Sequence, residues 1–284
     1  MNKTILAKGI DVSRWQGTID WNKVKAAGID FAMIRAGYCG YAGNITQDPQ
    51  FAANMKGAVT AGIDVGVYLY SYAKTASAAK TAAAELLELI APYQLTYPVA
   101  FDIEDEINVA MGKAENTAIC KAFLSTIAGA GYCPILYTSK NFAESSLTMS
   151  ELPYDLWVAH VDVAQTTYAG DYTMWQYSWT GSVAGISGDV DLNHGYKDYP
   201  AYIRELAFSC AALLMLFPRC EFDVCLPVLA LVRYYKVVFD QCVHQGGHFF
   251  GSVGRVQGET HGRNNLWVSV IAAEVVNSYN EPVK

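Results

Sequence analysis

Asp102, Glu104, Asp105 and Glu106 crowd the end of the stretch PVAFDIEDEI, residues 98–107. Carboxylates packed so closely each raise the cost of ionising the next, so the cluster needs a reason. The stretch opens as a buried strand, Pro98-Val99-Ala100-Phe101, and in a strand side chains two apart share a face roughly 6–7 Å from one another. Asp102 and Glu104 therefore point one way, and Phe101 and Ile103 the other. Two more acids lie in runs that also read as strands: Asp11 in GIDVSRW (9–15) and Asp191 in DVDLN (189–193). Brought to one mouth, such a group would keep at least one member protonated near neutral pH through repulsion and partial burial. A raised-pKa carboxylic acid beside an ionised carboxylate is the pairing that cleaves a glycosidic bond, where the leaving oxygen is protonated as positive charge develops on the sugar. Acids at a strand end can also be merely solvated, and the surroundings decide between the two. Trp15, Tyr38, Tyr68, Tyr70, Tyr137, Trp157, Trp175 and Tyr177 all lie in or just after expected strands. Aromatic faces with polar tips suit carbohydrate; core packing is the competing use of each.

The elements that must position these residues repeat. KAAGIDFAMIRAGY (25–38), TAGIDVGVYLYSYA (60–73) and AGAGYCPILYTS (128–139) each read as a helix end, a glycine for a left-handed C′ position, and a strand buried on both faces. Helices are expected at 20–27, 48–61, 77–90 and 116–128, and strands at 9–15, 31–37, 65–72, 98–104, 134–139, 156–161, 173–178 and 189–193. Helix-length connections separate the first five strands, and the last three follow too closely for full helices. The expected architecture is an α/β fold: an irregular (β/α) barrel of five βα units and three further strands, with chemistry at the carboxyl ends of the strands. Closure places the last strand beside the first, so that Asp11, Asp102, Glu104 and Asp191 can face one mouth.

At 284 residues, 52% apolar and 17% charged, the chain can bury a sizeable core. A net charge of −7 and the lack of a basic stripe exclude a nucleic-acid surface. Cys39, Cys120, Cys133, Cys210, Cys220, Cys225 and Cys242 form no CxxC pair and read as small buried apolar residues. The start, MNKTILAKGIDVS, lacks the apolar core of a secretory signal, which leaves the export route open. Beyond Tyr202 the pattern stops. Two apolar runs, 206–217 and 226–239, are too short or too charged to span a bilayer, although contact of this extension with a membrane surface stays open. His244, His248 and His261 follow in a Gly-rich stretch and make only a weak metal motif. His160 and His194 fall near the expected mouth and would shape a cleft.

GIDVSRWQGTIDW, FAMIRAGY, GVYLYSYA, the DIE at 102–104, LWVAHV, and MWQYS followed by GISGDVDLN together resemble the glycoside hydrolase family 25 muramidases, the Chalaropsis-type lysozymes. The resemblance runs from about Gly9 to about Arg204. It implies a flattened barrel that cuts the β-1,4 bond between N-acetylmuramic acid and N-acetylglucosamine in peptidoglycan. It further implies Glu104 as the acid on the leaving oxygen, Asp102 as the group orienting the substrate's N-acetyl for attack on the anomeric carbon, and Asp11 and Asp191 as residues that tune Glu104 and position sugar and water. Tyr38, Tyr70, Tyr137, Trp157 and Trp175 are the expected substrate-binding residues, and Asp105 and Glu106 read as solvated loop charges. Peptidoglycan glycan strands are the expected partner of a monomer acting at the bacterial cell wall, with no cofactor and no metal. Residues 1–204 are expected to be the catalytic barrel and 205–284 an extension without an assigned fold. A catalytically silent wall-binding protein on the same barrel is the alternative, and a chitin-directed barrel glycosidase is disfavoured by DVSRWQG and VDLN.

Overall fold

A computed structural model describes residues 3–206 of the chain. Its elements follow in the order β1 (Ala7–Val12), α1 (Trp21–Ala26), β2 (Phe31–Cys39), β3 (Ile45–Gln47), α2 (Phe51–Thr60), β4 (Asp64–Ser71), α3 (Ala76–Ile90), β5 (Val99–Asp102), α4 (Glu106–Val109), α5 (Lys113–Gly129), β6 (Pro134–Ser139), α6 (Lys140–Ser146), β7 (Asp155–Ala159), β8 (Met174–Gly181) and β9 (Val190–Gly195). Local chemistry sets several of the boundaries. Thr75 caps α3 by accepting from the Ala78 backbone N–H, and the helix buries Ala79, Ala82, Ala83, Leu86 and Ile90 along one stripe. Gly28, Gly62 and Gly131 all sit at positive φ just past α1, α2 and α5, the left-handed stop that returns the chain to the sheet.

Strands β1, β2, β4, β5, β6, β7 and β8 are successive parallel neighbours, and β9 runs antiparallel between β8 and β1 to close the ring. The result is an eight-stranded barrel with five βα units and three further strands. Three elements were not expected. β3 is a short antiparallel strand hairpinned onto β2, and α4 and α6 are single-turn or two-turn helices in loops too short to show a helical period. The reversed direction of β9 was also not legible, because strand patterning carries no sign. It places Asp191 at the amino end of its strand, opposite Asp11, and so at the same mouth.

Alternation divides the apolar residues into two layers. Ile10, Val12, Ala32, Ile34, Val67, Leu69, Phe101 and Ile103 face outward to the helices. Phe31, Met33, Tyr97, Ala100, Ile135, Trp157, Met174 and Tyr199 fill the barrel. Tyr97 stacks on Phe31 with ring centroids 4.3 Å apart and meets Tyr199 at 5.4 Å, so aromatic rings plug the end from which the parallel strands start. The opposite end is left for polar side chains. Cys39, Cys120 and Cys133 are buried free thiols. Among the described residues no helix is long and apolar enough to cross a membrane. The second apolar run, His244, His248, His261, Cys210, Cys220, Cys225 and Cys242 lie outside the described residues, as does the first run past Leu206.

Candidate active site

The inward positions at the carboxyl ends of the parallel strands carry Asp11, Arg35, Tyr68, Tyr70, Asp102, Tyr137 and Trp157. With Glu104 just past β5, Gln176 on β8 and Asp191 on β9, they line a cavity of about 250 Å³. Trp15 and Trp179 form its rim on the β1 and β8 side and remain 72% and 55% exposed.

Asp11 is the fixed point. Its Oδ2 accepts from Gln176 Nε2 at 2.9 Å and from Asn193 Nδ2 at 2.8 Å. Each amide is held in turn: Tyr137 and Trp179 donate to Gln176 Oε1 at 2.9 and 2.8 Å, and Trp157 Nε1 donates to Asn193 Oδ1 at 2.7 Å. Ring donors on both amide oxygens leave the amide nitrogens facing Asp11, which favours its ionised form locally. Asp11 and its cross-strand partner Asp191 share a hydrogen bond. Burial, then the charge of Asp11 and that bond, push Asp191 up to about 8, so the pair holds a proton near neutral pH.

The other two acids differ in kind. Burial, followed by the charges of Glu104 and Asp11, raises Asp102 well above the usual carboxylate range, with Arg35 opposing. Its Oδ1 is buried and has no hydrogen-bond partner. Glu104 is only partly buried; desolvation raises it, the Ser139 backbone hydrogen bond lowers it, and Asp11 raises it again. Asp11 itself is raised by burial against its three hydrogen bonds. One cavity thus holds four carboxyl groups, all displaced toward the protonated form, with Arg35 beside them. Arg35 is fixed by Asp48, whose Oδ2 lies 2.8 Å from Nε and 2.7 Å from the terminal nitrogen.

Tyr70, Tyr137 and Trp157, expected from the sequence to bind substrate, line the cavity. Tyr38 stands outside it, edge-on to Tyr72. Trp175 does not reach it: Met174 takes the inward position on β8, and Trp175 packs in the outer layer with its Nε1 donating to the His160 carbonyl. His194 stacks on Tyr177 at 4.2 Å, and burial, then Lys8, lowers its pKa. His160 is engaged by Thr166 and Thr167; neither histidine lines the cavity. Asp105 is more than a solvated charge, since it caps α4 through the Ile107 N–H and accepts from the Tyr70 hydroxyl at 3.1 Å. Glu106 is exposed in the first turn of α4. Arg35, Gln176, Asn193 and Trp179 were missed. Gln176 and Asn193 each stand two residues from an inward-facing position, Met174 and Asp191, so alternation could have found them. Among the described residues no group of three or more His, Cys, Asp or Glu is placed to hold a metal ion.

The model of glycosyl hydrolases family 25 matches residues 10–186. Lysozyme M1 of Streptomyces globisporus is 33% identical over 66% of this chain and 66% of its own length. The autolytic lysozyme of Clostridium acetobutylicum is 30% identical over 66% of this chain. The chain thus spans only 55–66% of the length of these relatives. Among solved structures, the modular autolysin LytC of Streptococcus pneumoniae, in complex with a synthetic peptidoglycan ligand, is 29% identical with a TM-score of 0.58, covering 67% of this chain and 46% of that one.

Proposed function

The chain belongs to glycosyl hydrolases family 25, and from that premise we propose that it hydrolyses peptidoglycan between N-acetylmuramic acid and N-acetylglucosamine. The observation that carries this reading is the convergence of Asp11, Asp102, Glu104 and Asp191 on one aromatic-walled cavity, all four raised toward the protonated form. The relatives named lysozyme and the ligand of LytC supply the substrate class.

In this mechanism Glu104 gives its proton to the glycosidic oxygen as the bond to the anomeric carbon breaks. The substrate's acetamido oxygen attacks that carbon from the other face and closes a cyclic oxazolinium. Asp102 Oδ1, buried without a protein partner, accepts the acetamido N–H. That bond favours the ionised form of Asp102 and thereby leaves the proton of the pair on Glu104. Water then adds to the anomeric carbon, gives its proton to the Glu104 carboxylate and reopens the acetamide, with net retention. Asp11 and Asp191 hold the cavity's charge and position the water. The chemistry calls on no cofactor. Residues 1–204 make up the catalytic domain in this reading, and the bacterial cell wall is where it acts.

Turbidity loss of purified cell walls tests the assignment. Wild type should clear them, and Glu104→Gln should be slower by at least roughly two orders of magnitude, the scale of a lost general acid. Equal clearing by the two proteins removes Glu104 from the acid's role. Proton NMR of the first product separates the routes: the β-anomer is expected, and an initially inverted anomer excludes acetamido assistance.

A further inference from the structure

The aromatic lining continues past Tyr70. Tyr70 meets Tyr72 with ring centroids 5.1 Å apart, and Tyr72 meets Tyr38 edge-on at 5.9 Å. Beyond them Gly40, Tyr41 and Tyr72 line a second, shallower depression of about 250 Å³. Tyr41 is 58% exposed, and the Lys74 ammonium lies 4.0 Å from its ring centroid.

Rings left this open add little to the core, yet the backbone that carries them is firmly held. In the turn between β2 and β3, Gly43 N–H donates to Gly40 O at 3.0 Å. Glu85 of α3 accepts from Ile45 N–H at 2.7 Å and from Asn44 Nδ2 at 3.1 Å. Gly43, at φ 100°, passes so near α3 that a Cβ would lie 2.1 Å from the Ala78 carbonyl oxygen. Across the depression, Tyr72 N–H donates to Cys39 O at 3.1 Å, and Asn108 Nδ2 donates to Ala73 O at 3.1 Å. An exposed aromatic surface whose backbone is already ordered loses little entropy when a ligand covers it.

We propose that Tyr38, Tyr41, Tyr72 and Lys74 form a further glycan subsite, continuous with the catalytic cavity, that takes a pyranose bearing a carboxylate substituent. The inference rests on the function proposed above, because its occupant is the next acid-bearing sugar of the strand being cut. Tyr41 and Tyr72 offer faces to the C–H side of the ring, and Lys74 is the cation for the substituent. The placement has an electrostatic logic: the catalytic cavity collects carboxyl groups and repels a second anion, whereas Lys74 stands at the far end of the aromatic band.

The test uses the full-length protein with Glu104→Gln, in which turnover is slowed by at least roughly two orders of magnitude, titrated calorimetrically with peptide-free peptidoglycan hexasaccharides in native and carboxyl-reduced forms. Native glycan should bind roughly three- to fivefold tighter than reduced glycan, the scale of one exposed ion pair. Adding Lys74→Gln should erase that difference. Adding Tyr41→Ala should weaken both glycans about equally, by roughly three- to tenfold. Unchanged thermal midpoints show that the variants fold. Parent-like affinity in both variants overturns the subsite even where wild type clears walls. Variant-sensitive binding by a wild type that cleaves no wall leaves the subsite standing and overturns the hydrolase reading instead. A parent that binds neither glycan overturns both.

Discussion

The proton in this site is placed by neutral groups as much as by charged ones. Gln176 and Asn193 both donate to Asp11 Oδ2, and Asp11 also shares a bond with Asp191. Asp11→Asn can retain both amide contacts on its single oxygen and turn its own N–H₂ toward Asp191, which is then free to ionise. Glu104, however, is raised by the charge of Asp11. A nearby negative charge raises an acid, so its removal lowers Glu104. The alkaline limb of kcat/KM, where the general acid loses its proton, should therefore move to lower pH in Asp11→Asn. A pH–rate profile checks this, and an unmoved limb would mean that Asp11 does not tune the acid. The four acids were legible as acids at strand ends. The amides that orient Asp11 were legible only as inward positions on their strands, because Gln and Asn carry no charge to cluster and the Asp11, Tyr137 and Trp157 that fix their roles come from β1, β6 and β7, far away in the chain.

Among the elements, strand alternation was legible in period but not always in phase. Phe101 and Ile103 against Asp102 and Glu104 came out directly, since the acids fix which face is wet. Trp175 had no such neighbour, and both faces of a barrel strand are apolar, so its outward position could not be read. Asp48 was invisible for another reason: it looks like an ordinary residue before a helix. It is buried, accepts from the Gln50 N–H in the turn that leads into α2, accepts from Arg14 N–H after β1, and pairs with Arg35 of β2. Asp48→Ala would strand a largely buried guanidinium and free three segments at once. The expected cost is on the order of 3 kcal/mol, the lower end for breaking a buried ion pair, measured as a shift of the urea midpoint. A loss below about 1 kcal/mol would place Arg35 in solvent instead.

For the whole molecule, a site that gathers reluctant acids should be a standing cost to stability at neutral pH. Asp11, Asp102, Glu104 and Asp191 all have folded pKa values above those of the unfolded chain. Their stabilising contribution is full below the ordinary carboxylate range and is lost as pH rises through the folded values, because the folded chain then holds protons that the unfolded chain has already released. His194, lowered from 6.5, has the opposite sign, but only while the unfolded imidazole still titrates. Above pH 6.5 at most half of the unfolded imidazole is still protonated, so from pH 6.5 to 8 the acids outweigh it, with Asp191, pushed up to about 8, holding its proton over most of that window. The thermal midpoint should fall by roughly 2–5 °C across that window. Asp191→Asn should flatten the slope and raise the midpoint at pH 8 while lowering activity, the trade expected when function holds a strained cluster in place. A midpoint that rises from pH 6.5 to 8, or an Asp191→Asn slope equal to wild type, would mean that the cluster is already ionised in the folded chain and that no proton waits there for a leaving sugar.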